Sequence, residues 1–143
     1  MDTKNNVFTI TRELNAPIEL LWKSITDISA IKQWSPFFPD FKAEVGFETS
    51  FLLGPDPEHQ YVHLVKVIEV LPGKKLTYTW QYKGYAGSSY VSLFLEQTGD
   101  KTTVTLTHTI TEAFPSDPAF SRESFATGWT YTMDALQKFV EKK

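Results

Sequence analysis

The chain has no cysteine among its 143 residues, which excludes disulfides, thiolate nucleophiles and cysteine-rich zinc sites without identifying a compartment. It also has no block of Lys or Arg. A net charge of −3 and a pI near 5.6 leave no surplus of positive charge for a phosphate backbone, so nucleic acid is not an expected partner. Long apolar runs are missing too. No stretch approaches the roughly 18 apolar residues of a membrane span, and the opening MDTKNNVFTITREL sets an acid beside its first Lys with only short apolar runs. These absences predict a soluble, cytoplasmic protein. The length predicts one domain, residues 1–143, that buries roughly 70% of the surface its unfolded chain exposes.

What the sequence has in quantity is aromatic side chains, 15% of residues, with 11 Phe, 6 Tyr and 4 Trp. Such residues build a core or the wall of an apolar binding site, so the count alone does not choose between them.

Residues 7–14 alternate as a strand, with Phe8, Ile10 and Leu14 on one side and Arg12 interrupting that face. In NAPIELLWKSITD, Pro17 suits a helix start and Glu19 suits its positive end, while Asp27 can cap a second short helix that stops by Ser35 because Pro36 follows. From Phe41 to Ile110 a run of about six strands is predicted, punctuated by turn signals at Gly46, Gly54, Pro72 with Gly73, Gly84 to Gly87, and Gly99. KKLTYTWQY alternates plainly, with Leu76, Tyr78 and Trp80 on one face. TTVTLTHTI does the same with Val104, Leu106, His108 and Ile110, leaving a Thr-rich outer face. In HQYVHLVKVIEV both faces carry apolar residues; Tyr61, His63, Val65 and Val67 are read as inward, with a bulge near Glu69 able to change the phase. The last helix is expected to start at Asp117 with Pro118, or a few residues later.

That helix places Phe125, Trp129, Met133, Leu136, Phe139 and Val140 on one arc, opposite Thr127, Asp134 and Lys138. Leu136, Phe139 and Val140 read as ordinary core. The N-terminal half mixes Phe125 and Trp129 with Gly128 and Thr132, and reads as the roof of a cavity; close approach to a strand is the other explanation of Gly128. The whole order predicts an α+β domain whose curved antiparallel sheet needs cover on one face.

APIELLWKSITDISAIKQW, VIEVLPGKKLTYTW, VTLTH and GWTYTMDALQKFV, in this order, resemble the START-like superfamily over essentially the whole chain. The nearest branch is that of single-domain proteins similar to the C-terminal domain of the heat-shock protein 90 ATPase activator. The resemblance implies a helix-grip fold: a bent sheet of about 6–7 strands around a long C-terminal helix, two short helices after the first strand, and a cavity between sheet and helix. It implies hydrophobic ligands such as lipids, sterols, polyketides or flavonoid-like molecules, and in some relatives cyclisation or hydration. No counterpart of the additional N-terminal domain with which the co-chaperone stimulates its chaperone is expected here, so that activity does not follow from the resemblance.

Among titratable residues, His59 and His63 share a strand, where their spacing separates the Cα atoms by roughly 13 Å, so they do not chelate one ion. No metal and no cofactor is expected. His108 reads either as a satisfied core histidine or as a polar group lining a cavity. GYAGSS lacks the Lys and following helix of a phosphate cradle and reads as a hairpin loop. Phe37, Phe38 and Phe41 read as a lip at a cavity mouth or as anchors under the second helix. Arg12 and Glu69 read as an inward acid–base couple or as a strand-end ion pair with solvent access.

The leading expectation is a protein that binds an apolar or aromatic small molecule, lined by Trp34, Phe51, His63, Tyr78, Trp80, His108, Phe125 and Trp129, with Tyr78 and the histidines orienting the guest. No catalytic residue is assigned. The alternatives are a polyketide cyclase-like enzyme with His63 or His108 as general base, and a module that engages a chaperone or other protein.

Overall fold

The alternation of the first segment becomes strand β1 (Val7–Leu14), in which exposed and enclosed side chains take turns along its length. We describe residues 7–35, 38–56, 58–115 and 122–141 from a computed structural model. Helices α1 (Ile18–Thr26) and α2 (Ile28–Trp34) follow, then β2 (Glu48–Asp56), β3 (His59–Leu71), β4 (Lys75–Tyr82), β5 (Ser88–Thr98), β6 (Lys101–Glu112) and α3 (Arg122–Val140). Asp27 caps α2 as expected, its Oδ1 accepting from the Ser29 backbone N–H at 2.9 Å and from the Ser29 hydroxyl at 2.7 Å.

The six strands form one antiparallel sheet in the order β1-β6-β5-β4-β3-β2. β1 and β2 are its two edges, so the α1–α2 pair carries the chain from one edge to the other. The long helix α3 lies over the inner face, which gives the α+β, helix-grip architecture. Arg12, the charge on the inner side of β1, reaches α3, where it pairs with Asp134 and donates to Gln137 Oε1 at 3.2 Å. No described helix is long and apolar enough to cross a membrane.

Among the described residues five strands follow α2, against the run of about six expected. The segment before β2 turns at Gly46, whose φ of 98° is open to glycine at little cost. It meets β3 at a single point, where Gly46 N–H donates to Val67 O and Val67 N–H to Phe47 O, each at 2.8 Å. The β3 register shifts between Val67 and Glu69. That bulge keeps Val65 and Val67 inward and turns both Ile68 and Glu69 to the outer face, which explains why the sequence of β3 has apolar residues on both sides.

The space between sheet and helix has two unlike ends. Leu14, Leu21, Leu95, Leu106, Met133 and Leu136 close the end under the C-terminal half of α3, each 0–1% exposed. Aromatic side chains fill the other.

Candidate functional site

Strand alternation delivers Tyr78, Trp80 and Tyr82 from β4 to the inner face, beside His63 on β3, Phe51 on β2 and His108 on β6. Phe125 and Trp129, one helical turn apart on α3, come down onto them. Trp80 is the hub: its ring centroid lies 4.8 Å from Trp129, 5.1 Å from His63, 5.9 Å from Phe51 and 6.3 Å from Tyr78. Phe51 stacks on His63 at 5.1 Å and 11°, and Phe125 meets His108 edge-on at 4.7 Å. The fold thus gathers seven of the eight residues expected at the site into one continuous set of ring contacts. Trp34 stands apart. Half-buried on α2, it spends its indole N–H on the Ser24 carbonyl at 2.8 Å, fastening α2 to α1.

A chain of hydrogen bonds runs through His108. Trp129 Nε1–H donates to His108 Nδ1 at 2.9 Å, and His108 Nε2 lies 2.8 Å from Ser89 Oγ, which in turn donates to the Trp80 carbonyl at 2.7 Å. An indole nitrogen only donates, so Nδ1 is the bare, accepting nitrogen; in the neutral ring Nε2 therefore carries the proton and donates to Ser89. Burial pushes the His108 pKa down to about 4, which keeps that neutral form at ordinary pH. Both ring nitrogens are occupied within the protein.

The remaining polar groups differ in how far they are engaged. Burial also lowers the pKa of His63, opposed by the Tyr61 and Phe51 carbonyls; Nδ1 donates to Tyr61 O at 2.8 Å. Trp80 Nε1–H donates to the Tyr82 hydroxyl at 3.0 Å. The phenols of Tyr78 and Tyr82 are raised by burial, so both stay neutral. Tyr78 makes no side-chain hydrogen bond with any described residue.

Several members of this cluster escape a reading of the sequence. Tyr82 lies two residues beyond Trp80 in the same alternation, so that signal was present. Ser89 faces Trp80 across the β4–β5 ladder, but it stands at the end of GYAGSS, where turn chemistry hides a strand start. Phe114 sits in a loop with no periodicity, and its ring packs on Tyr82 at 5.5 Å and Phe125 at 5.7 Å. Phe38 and Phe41 are buried against the cluster: Phe38 lies 4.7 Å from Phe51, and Phe41 lies 6.3 Å from Tyr78. Phe37 lies outside the described residues, as does the expected helix start at Asp117 and Pro118.

Two expectations change. Gly128 is exposed, and a Cβ built on it meets nothing within 4 Å, so neither close approach to a strand nor a place over the cluster accounts for it. Arg12 and Glu69 do not couple; Glu69 faces the other side of the sheet, with Lys75 Nζ at 3.0 Å and the Thr77 hydroxyl at 3.2 Å. GYAGSS is the β4–β5 hairpin, with Gly84 at φ 83° and Gly87 at φ 110°. A shallow depression of about 730 Å³ opens on the outer face, floored by Thr105, Thr107 and Thr109 with Ile68, Tyr90 and Phe94 around it. Among the described residues no three His, Asp or Glu side chains come together as metal ligands.

Comparisons with known proteins agree with this architecture. Protein CV1439 of Chromobacterium violaceum superposes with a TM-score of 0.80 at 20% identity, over 96% of this chain and 99% of that one. CalU16 of Micromonospora echinospora superposes with a TM-score of 0.71 at 26% identity, over 95% of this chain and 76% of that one. DynU16, a protein of the dynemicin biosynthetic locus, gives a TM-score of 0.77 at 20% identity; 96% of this chain matches 48% of that one, so the chain spans about half its length. A search of curated proteins finds no match. The family model "Activator of Hsp90 ATPase homolog 1-like protein" matches residues 15–141, and the chain belongs to that family, a branch of the START-like, helix-grip superfamily.

Proposed function

We propose that the protein binds an apolar, aromatic small molecule between the inner face of the sheet and the N-terminal half of α3. The observation that carries this reading is the contrast between the two ends of the interior. Phe51, His63, Tyr78, Trp80, Phe125 and Trp129 each keep 7% of their surface accessible, whereas Leu14, Leu21, Leu95, Leu106, Met133 and Leu136 keep 0–1%. A core that serves stability alone gains by sealing large rings completely, because each buried aromatic adds apolar area removed from water. Trp80 and Trp129 are in ring contact, so a guest of several fused rings parts them and replaces their contact with its own faces. DynU16 belongs to the dynemicin biosynthetic locus, and its likeness in fold fits a small-molecule role for this domain.

The cyclase-like alternative loses its first candidate base, because the bare nitrogen of His108 is already held by Trp129. A partner-binding module gains little from the depression on the outer face, whose floor is a row of threonine hydroxyls with Ile68 and Phe94 as its exposed apolar groups.

A thermal-shift screen of sterols, fatty acids, flavonoids and aromatic polyketides tests the reading. A true ligand at 100 times its dissociation constant adds about 2.7 kcal/mol to stability. If no class raises the melting temperature, the reading fails.

A further inference from the structure

The buried polar groups of the inner face are nearly all committed to one another. His108 is held by Trp129 and Ser89; Ser89 also reaches the Trp80 carbonyl; Trp80 donates to Tyr82; Thr102 donates to the Ala16 carbonyl; and His63 faces the Tyr61 and Phe51 carbonyls. Tyr78 is the exception. Its side chain is 7% exposed, yet its hydroxyl has no hydrogen-bond partner among the described residues. No side-chain nitrogen or oxygen sealed from solvent lacks a partner among those residues, so the Tyr78 hydroxyl must touch space that a water-sized probe can enter. It does so beside Trp80 and Phe41, each with a ring centroid 6.3 Å from its own.

From this we infer that Tyr78 selects the ligand, and that the ligand is a neutral fused-ring aromatic carrying a carbonyl or comparable oxygen that accepts the Tyr78 O–H. The inference rests on the proposed small-molecule site. A phenol is a donor to an uncharged acceptor in an apolar setting, and an acceptor placed there recovers a hydrogen bond that an empty site leaves unmade. A carboxylate is disfavoured. Arg12, the cation on the inner side of β1, is committed to Asp134 and Gln137, and among the described residues no Lys or Arg is buried with the aromatic rings to offset the desolvation of an anion. Flat rings match the walls: Trp80, Trp129, Phe51 and Phe41 offer faces and edges within one ring diameter of Tyr78 or of each other.

The test uses 9-fluorenone, its matched hydrocarbon fluorene, and laurate, titrated into the wild-type protein and into Tyr78→Phe. Expected is a fluorenone-to-fluorene affinity ratio that falls roughly fivefold in Tyr78→Phe, the worth of one neutral hydrogen bond. The carbonyl stretch of fluorenone should also move to lower frequency on binding the wild-type protein, a measurement that needs no variant. An unchanged ratio with an unshifted carbonyl overturns the role of Tyr78 and leaves the small-molecule reading standing. Laurate binding tighter than fluorenone overturns the neutral-ligand assignment. No binding by any of the three, together with a blank thermal-shift screen, overturns both.

Discussion

Trp129 donates its indole N–H to Nδ1 of His108 across 2.9 Å, and this single bond ties the N-terminal half of α3 to strand β6, next to the β1 edge of the sheet. His108 is only 2% exposed, so water does not replace the bond at its ring if Trp129 is lost. Trp129→Phe leaves the His108 lone pair buried and unmatched. It should destabilise the protein by roughly 1–3 kcal/mol in urea titrations, beyond any loss of ring area. The same bond predicts the tautomer: nitrogen NMR of His108 should show the proton on Nε2 at pH 7, and a proton on Nδ1 would contradict the chain of donors.

Acid should weaken the fold through the same residue. The His108 pKa falls from an unfolded value near 6.5 to about 4 in the folded protein, so between those values the unfolded chain binds the extra proton. Stability is then fully present above about pH 6.5 and declines as the pH drops towards 4, by on the order of 2–3 kcal/mol for this group. His63 shifts in the same direction and adds to the slope. Asp27 and Glu69, whose carboxylates are held below their ordinary values by hydrogen bonds and Lys neighbours, contribute losses only at lower pH. Melting temperatures measured from pH 8 to 4 should be level at first and then fall; a level profile down to pH 5 would refute the assignment.

Much of this arrangement was legible in the sequence, and the failures have physical causes. Tyr78, Trp80, His108 and Leu106 face inward because strict alternation has only two phases, and a Thr-rich outer face fixes which one is used. The bulge near Glu69 was readable as an interruption of that phase in β3. Partners were not readable. Nothing in residue order says that Trp129 would meet His108 rather than His63, or that Arg12 would cross to Asp134, because those pairings depend on where a helix lands on a sheet. Gly128 was read as part of a cavity roof or as a close approach to a strand, but its place on the helix puts it 100° or so from the centre of the buried arc, on the solvent side. Phe114 lies in a loop, where no period marks a half-buried ring that packs on the cluster.

Two glycines make opposite predictions. Gly87 has φ 110°, and a Cβ there would come within 2.9 Å of the Phe114 Cα, so Gly87→Ala is strained in its backbone and blocked by another backbone. It should lose at least about 1–3 kcal/mol. Gly128 sits in an open helical position with nothing within 4 Å, so Gly128→Ala should gain about 0.5–1 kcal/mol through helix propensity and a less flexible unfolded chain. Thermal unfolding of the two variants side by side decides the matter, and a stabilising Gly87→Ala would mean that Phe114 does not pack as described.

Leu136 distinguishes the sealed end of the interior from the aromatic end. It is 1% exposed among Leu14, Leu21 and Met133, which are themselves 0–1% exposed, so truncation to Ala removes buried area and leaves a void that its neighbours fill only in part. The expected loss is about 2–5 kcal/mol. If the aromatic end is the binding site and the aliphatic end is support, Leu136→Ala should lower the melting temperature while a ligand found in the screen still raises it by a comparable increment. Phe125→Leu, at the aromatic end, should cost less stability but reduce that increment. Should Leu136→Ala instead abolish the ligand-induced shift at a temperature where the variant remains folded, the guest would have to occupy the aliphatic end, and the division of the interior into support and site would be wrong.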